Sequence, residues 1–242
     1  MVRVRGALAL CLALAGCDDV FHLRHVPELP DAPAVDLHPA AYYDFEENVA
    51  DTGVLRDRTL HGHDGICSTA ACPSAVQGAP GHGLAGAFDG TQYVTVPQFA
   101  MTAFTVTFWV RADDRVGTMC PVNRVFGSVS SDSWQLCLEV DANDVATLHF
   151  YTAVVSSIES NQPMPLGTWH QIGMRWDGAL LAIFFDRHAV ALGPGTTEFD
   201  TGAIVLGSDI NDTTLVSPLI GALDDVAIYD RALTDSEIML TP

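Results

Sequence analysis

Apolar and polar side chains alternate along most of this chain, and they alternate in twos. Phe104-Thr105-Val106-Thr107-Phe108-Trp109-Val110-Arg111 carries an apolar side chain at every second position. Trp134, Leu136, Leu138 and Val140 do so opposite Gln135, Cys137 and Glu139, and Ala146, Leu148 and Phe150 repeat the pattern beyond the turn Asp141-Ala142-Asn143-Asp144. Successive side chains of a strand point to opposite faces, so this period predicts half-buried β-strands. Residues 180–185 form an unbroken apolar run, as in a strand covered on both faces. Turn signals flank it, Asp177-Gly178 after Trp176 and Asp186-Arg187 before residues 189–192. Residues 203–206 and 222–229 supply two more strands. Helical pattern is scarce. Thr234-Asp235-Ser236-Glu237 has the form of a capping box ahead of Ile238, Met239 and Leu240, which predicts one short C-terminal helix. Many short strands separated by turns predict an all-β fold, a two-sheet antiparallel β-sandwich. No internal repeat and no domain break is visible after residue 40.

The first residues follow another pattern. Arg3 and Arg5 precede an apolar run from Ala7 to Gly16, the layout of a secretory signal and too short to span a bilayer as a helix. Leu14-Ala15-Gly16-Cys17 resembles the lipobox of bacterial lipoproteins. That resemblance implies that residues 1–16 are a lipoprotein signal peptide and that Cys17 is acylated. The plainer alternative is an ordinary signal peptide with a chance cysteine. Two or more acyl chains anchor a protein stably, so the membrane would be met through the lipid alone. Asp18 and Asp19 follow; in enteric bacteria an aspartate there resembles a signal for inner-membrane retention, and the choice of membrane stays open. Residues 17–39 carry Pro27, Pro30, Pro33 and Pro39 among acidic and small residues and read as a tether. At roughly 3.1 Å per residue, such chain lifts a domain several nanometres from its anchor. The expected location is the bacterial cell envelope, facing the periplasm or the exterior, with the domain spanning residues 40–242.

Charge narrows the partners. The 242 residues carry a formal charge of −19, and every basic residue is arginine. Such a surface repels phosphate backbones and anionic lipid heads, so no nucleic acid partner is expected. Abundant carboxylates are compatible with divalent cations. Cys11 leaves with the signal and Cys17 takes lipid, which leaves Cys67, Cys72, Cys120 and Cys137. An even count in an exported chain suggests two disulfides, with three connectivities open. Cys67–Cys72 and Cys120–Cys137 are favoured because each pair is close in sequence. The C-x-x-C spacing or registered histidines of a zinc site are not seen.

Several segments together resemble laminin G-like, concanavalin A-type jelly-roll domains. They are Tyr42-Tyr43-Asp44-Phe45-Glu46, the loop Asp57-Arg58-Thr59-Leu60-His61-Gly62-His63-Asp64-Gly65, Ala87-Phe88-Asp89-Gly90 with Tyr93-Val94, and residues 104–110. Gly167-Thr168-Trp169-His170 with Trp176-Asp177-Gly178 follows, and then the closing Gly221-Ala222-Leu223-Asp224-Asp225-Val226-Ala227-Ile228-Tyr229 with Arg231-Ala232-Leu233. The resemblance implies a jelly-roll sandwich from about Tyr42 to Leu240. It also implies recognition of sugars, proteins or lipids as the activity class, without a particular ligand.

The same resemblance implies a structural calcium ion between the first loop and the last strand. The matching positions are Asp57, His61 through its carbonyl, and Asp224, with Asp64 and Asp225 beside them. The chain departs from the family loop at Leu60, where glycine is common, and at His61 and His63, where asparagine is common; a leucine makes an unusual backbone turn harder. Without a metal, the acids cap turns and face water. Glu139 and Asp141, with Asp144, faintly resemble the acid strand of jelly-roll glucanases, but residues 141–144 read better as a turn. Alternate histidines such as His61 and His63 can chelate a transition metal, though they more often make hydrogen bonds at the surface. No nucleophile elbow, phosphate loop or Rossmann fingerprint is present. Of Trp109, Trp134, Trp169 and Trp176, Trp134 alternates with leucines and belongs in the core, Trp109 sits opposite Phe108 and Val110 and faces the second sheet surface or solvent, and the resemblance implies that Trp169 packs.

The sequence therefore describes a lipid-anchored recognition module, not an enzyme, whose partner is a glycan or a cell-surface protein. A jelly-roll glucanase and a structural envelope module are the rivals. Cys17→Ser is expected to abolish acylation and release the protein from membranes. Mass spectrometry of the mature N-terminus checks this, and a different first residue without lipid refutes it.

Overall fold

The computed structural model describes residues 37–113, 117–126, 131–153, 156–211 and 214–242; Cys17, the signal segment and most of the tether lie outside them. In chain order the elements are β1 (Ala41–Tyr43), α1 (Val49–Thr52), β2 (Val54–Leu55), β3 (Gly65–Ile66), β4 (Ser74–Gln77), β5 (Leu84–Asp89), β6 (Val94–Val96) and β7 (Phe104–Ala112). Then come β8 (Gly117–Phe126), β9 (Ser131–Val140), β10 (Val145–Thr152), β11 (Ser157–Glu159), β12 (Met164–Pro165), β13 (Trp169–Trp176), β14 (Leu180–Phe185) and β15 (His188–Pro194). The last are β16 (Ile204–Leu206), β17 (Asp209–Asn211), β18 (Thr214–Val216), β19 (Ile220–Tyr229) and α2 (Asp235–Ile238). No helix among the described residues is long and apolar enough to cross a membrane.

Two large antiparallel sheets form the sandwich. The first runs β15-β14-β13-β7-β19-β5-β4, with β1 also paired to β19; the second runs β11-β10-β9-β8-β16-β6-β3-β2, with β12 paired to β10. Alternation decides what lies between them. Phe104, Val106, Phe108 and Val110 of β7 and Ile172, Met174 and Trp176 of β13 are buried, as are Trp134, Leu136, Leu138 and Val140 of β9 and Ala146, Leu148 and Phe150 of β10. Phe104 stacks on Trp134 at 5.2 Å between ring centroids and meets Phe150, Phe199 and Trp176 edge-on or tilted at 6.1–6.3 Å.

Two bulges set the positions of functional side chains. In β19 the register against β7 gains a residue between Asp224 and Ala227, and Asp225 takes a left-handed φ of 46°. An extra residue bends a strand and re-aims its side chains: Leu223 and Val226 both face the core, so Asp224 and Asp225 both fall on the outer face of the sheet, opposite Trp109, where Asp224 is fully buried under neighbouring chain. In β8 the register against β9 gains a residue between Met119 and Val122, where Pro121 sits. A proline donates nothing to a ladder, so a bulge is where a strand tolerates it. The bulge brings Cys120 to Cys137, Cα to Cα 4.1 Å.

The C-terminal helix forms as its capping box predicts: Thr234 Oγ1 accepts from the Glu237 amide, and Glu237 Oε2 accepts from the Thr234 amide at 2.7 Å. Its Ile238 joins Leu233, Ala182, Phe184, Ala227 and Tyr229 in a small cluster on the outer face of the first sheet. Leu37 is buried in the same cluster, so the domain takes in the last residues of the stretch read as tether. The one-turn helix α1 carries no apolar periodicity long enough to be read from sequence.

The disulfides are Cys67–Cys72, with a Cα separation of 5.2 Å, and Cys120–Cys137. They close loops of 5 and 17 residues. Loop-closure entropy assigns them about 2 and about 3 kcal/mol. Denaturant titration of Cys120→Ser/Cys137→Ser is expected to lose more stability than Cys67→Ser/Cys72→Ser, and the reverse order would contradict the assignment.

Candidate functional site

A wide concavity opens on the outer face of the second sheet. Strand β10 sends Ala146, Leu148, Phe150 and Thr152 inward, which leaves Thr147, His149 and Tyr151 facing out. His149 stacks over Tyr151 with ring centroids 5.9 Å apart, and its Nδ1 lies 3.3 Å from the Tyr151 hydroxyl. That hydroxyl donates to Glu139 Oε1 at 2.9 Å. Burial, and then the Glu139 hydrogen bond, push the phenol up to about 12, so it remains a donor across the ordinary pH range. Glu159 lies 3.9 Å from His149 Nδ1. With Ser157, Ile158, Asn161 and Gln162 from β11 and its sequel, and Val190, Ala191 and Leu192 from β15, these side chains line a groove of about 910 Å³. The groove depends on a glycine. A Cβ at Gly193 would stand 2.6 Å from Ile158 Cγ2, so only glycine lets β15 approach β11 this closely. The result is a stacking surface ringed by hydroxyl, amide and carboxylate groups.

Asp141 does not share this groove. Its Oδ1 accepts from the amides of Asn143 and Val145 at 2.8 and 3.0 Å, which hold its carboxyl below the usual range. Asp144 closes the turn with a left-handed φ of 59°. Glu139 and Asp141 therefore part company at the strand end, one bonded to Tyr151 and the other capping a turn.

Among the described residues, no group of three or more His, Cys, Asp or Glu is placed to hold a metal ion, and the residues assigned to calcium from the sequence are placed as follows. Asp57 is buried, but Oδ1 accepts from the Tyr42 and Thr59 amides and the Thr59 hydroxyl, and Oδ2 from the His63 amide. Asp64 Oδ1 accepts from the Asp57 amide. His61 turns its ring Nδ1 to the Ala40 carbonyl at 3.1 Å. Asp224 accepts from the Ala79 and Asp225 amides, while Asp225 receives the Tyr42 hydroxyl and lies 2.5 Å from His82 Nδ1. Donor N–H and O–H groups converge where a cation would need bare oxygen. The first loop and the last strand are instead joined through Tyr42, whose amide binds Asp57 and whose hydroxyl binds Asp225. Leu60 adopts the left-handed turn that the family gives to glycine, with φ 65°, and is 90% exposed.

A different set of oxygens is left unsatisfied. Asp132 and Asp209, only 5% and 7% exposed, each keep an Oδ1 without a hydrogen-bond partner. Asn123, fully buried, donates Nδ2 to the Ser208 carbonyl at 2.7 Å, and its Oδ1 too has no partner. Burial, reinforced by the charge of Asp209, raises Asp132 to about 8, and burial raises Asp209 as well. Asp132 and Asp209 lie close enough for the charge of one to act on the other, and Asn123 bonds to Ser208, the residue before Asp209; hard oxygens of this kind are those that divalent cations take. Sequence reading passed over them because Asp132 lies among serines and Asp209 follows Gly207-Ser208, where aspartates ordinarily read as turn residues.

The tryptophans divide as follows. Trp134 and Trp176 are core residues, and Trp109 and Trp169 lie partly exposed on the outer face of the first sheet. His63 rests against Phe99 with ring centroids 4.4 Å apart.

A model of the concanavalin A-like lectin/glucanases superfamily matches residues 88–239, more than half of the chain. The chain belongs to this superfamily. Among curated proteins none matches it. Three solved structures share the lectin/glucanase fold. Domain 4 of AbnA, a GH43 extracellular arabinanase from Geobacillus stearothermophilus in complex with arabinotriose, is 18% identical over 84% of this chain and 98% of its own, with a TM-score of 0.60. The CBM40 of the IT-sialidase of Ruminococcus gnavus, bound to α2,3-sialyllactose, is 12% identical over 59% of this chain and 84% of its own, at 0.51. A Trypanosoma rangeli sialidase is 17% identical over 88% of this chain, at 0.63, but the match spans only 34% of the sialidase. At these identities the likeness is one of fold, and the superfamily sandwich is what they share with this domain.

Asp224 generates a prediction. Burial and the neighbouring Asp225 raise it to about 8. An acid raised in the folded state holds its proton longer there than in the unfolded chain, so its contribution falls as the pH rises from about 4 to about 8. Melting in EDTA is expected to become less stable from about pH 5 to about pH 8. Asp224→Asn sets an amide NH₂ against the Ala79 N–H and lowers the baseline, but it flattens that slope. A slope unchanged by Asp224→Asn would refute the assignment.

Proposed function

We propose that this domain is an exported glycan-recognition module that does not cut its ligand, with a saccharide lying in the groove formed by β10, β11 and β15. The single observation that carries this reading is the groove's lining. The stacked His149–Tyr151 pair offers a ring face, and Ser157, Glu159, Asn161 and Gln162 surround it with the donors and acceptors that a sugar's hydroxyls demand. Its size, about 910 Å³, suits several linked rings. The saccharides held by the arabinanase domain and by CBM40 lend support by analogy.

The expected calcium ion moves, in this reading, to Asp132, Asp209 and Asn123. A divalent cation there would satisfy the three orphaned oxygens and tie β8, β9 and β17 together. It would supply charge compensation that no protein cation provides among the described contacts of these groups. Acylation at Cys17 and display from the cell envelope complete the proposal.

A glycan array with and without EDTA tests it. Binding to at least one glycan class is expected, with loss in Tyr151→Ala. Calcium is expected to raise the melting temperature of the wild type, as mass action requires, and not that of Asp132→Asn. Absence of any glycan binding would sink the recognition reading. Release of reducing sugar that disappears in Glu139→Gln would turn the domain into a hydrolase.

A further inference from the structure

On the outer face of the other sheet, the C-terminal segment covers only one part. Leu233 and Ile238 pack on Ala182, Phe184, Ala227 and Tyr229. Beyond that cover Trp109 of β7 and Trp169 of β13 stand partly exposed, on adjacent strands where Gln171 pairs with Trp109 and Trp169 with Arg111. The Arg111 guanidinium lies 5.5 Å over the Trp169 ring, and His82 tilts against Trp109 at 5.0 Å. Both indoles are thus held on one side by protein, and the Trp109 Nε1 is itself buried without a hydrogen-bond partner. With His170, Gln171, Asp186 and Arg187 they line a pocket of about 300 Å³.

The polar rim is fixed. His170 Nδ1 lies 3.0 Å from Asp186 Oδ2, and Arg187 Nη2 donates to the Thr241 carbonyl at 2.9 Å. Gln171 Nε2 donates to Thr241 Oγ1 at 3.2 Å. Asp186 and Arg187 form the two-residue turn between β14 and β15, with φ of 46° and 68°. Such a turn favours glycine at its second position, because a side chain in the left-handed region is strained. The chain places an arginine there instead, at a cost in stability, and that arginine reaches the indoles' pocket.

We infer that this pocket is a second saccharide site, which takes one neutral sugar ring against the indoles that line it, with its hydroxyls met by Gln171, Asp186 and Arg187. The C–H face of a pyranose matches a flat indole, and paired carboxylate and guanidinium groups match neighbouring hydroxyls as acceptor and donor. Asp186 and the overall charge of −19 disfavour an acidic sugar. About 300 Å³ is the lower end of small-ligand pockets and suits a single ring. The inference rests on the glycan reading but on none of the groove's residues.

The test labels the full domain with 5-fluorotryptophan and follows its four ¹⁹F signals, assigned by Trp→Phe substitution, during titration with arabinotriose, cellotetraose, mannotetraose and α2,3-sialyllactose. The signals of Trp109 and Trp169 are expected to move with at least one neutral oligosaccharide, while buried Trp134 stays still. Tyr151→Ala, which removes the groove's stacking ring, leaves that response intact. Arg187→Gly is expected to weaken it roughly tenfold. Relief of the left-handed strain offsets the one lost carbonyl hydrogen bond, so the variant keeps a melting temperature at or above the wild type, and its lost binding is not a folding defect. No shift of either signal with any neutral sugar, a response to sialyllactose alone, or full affinity in Arg187→Gly would each overturn the inference. If the Trp109 and Trp169 signals move while the array response survives Tyr151→Ala, the groove reading fails and this site stands.

Discussion

Phe104 touches aromatic side chains from both sheets: Trp134 and Phe150 on one side of the sandwich, Trp176 on the other, and Phe199 from the segment that follows β15. Each such ring contact adds about 0.5–1.5 kcal/mol beyond the area it buries. The geometry matters more than the sum. A sandwich can bring its sheets together only where inward positions are filled, and here the apolar inward positions of β7, β9, β10 and β13 are committed to that contact. Chemistry is therefore left to the outward set, the other half of each alternation. His149 and Tyr151 face out because Leu148 and Phe150 face in; Trp109 faces out because Phe108 and Val110 face in.

The bulge in β19 is an exception to alternation, and it carries two buried acids. Without the extra residue in β19, strict alternation would send one of Asp224 and Asp225 into the core between the sheets. With it, Asp224 accepts two amides and Asp225 takes up Tyr42 and His82. A loop and a strand that a cation would otherwise have to bridge are joined by a tyrosine, which contributes an amide at one end and a hydroxyl at the other. This substitution costs no metal, but it leaves Asp224 as a buried acid whose ionisation works against the fold.

The strands, both disulfides and the C-terminal cap were legible because each is written in local spacing: period two, cysteines within 5 and 17 residues, and a four-residue capping box. The groove was not legible. It joins residues 149–162 to residues 190–192, which meet only because β15 and β11 end as edges of different sheets and Gly193 lets them close. Nothing local marks Gly193 as different from the chain's other glycines. Asp132 and Asp209 were hidden for a related reason. They sit 77 positions apart in short polar stretches that resemble ordinary turns, and only burial sets them apart from the other acids. At Asp57 the sequence does not tell a loop acid that caps its own turn from one that holds a metal; in the structure amides and the Thr59 hydroxyl reach its oxygens.

An acidic surface shapes what such a module can bind. At −19 the long-range field opposes anionic polymers, so affinity for a saccharide must come from short-range stacking and hydrogen bonds. Both sugar-compatible surfaces satisfy that condition, and they lie on the outer faces of opposite sheets. A single ring held by stacking and a few hydrogen bonds binds weakly. Two sites on one domain gain strength when they engage the same polymer or two neighbouring chains, because the second contact is made at a high effective concentration. Sites that face apart suit neighbouring chains better than one short oligosaccharide. The arrangement thus favours a repetitive glycan surface over a free sugar, and the same logic explains why neither pocket needs to be deep.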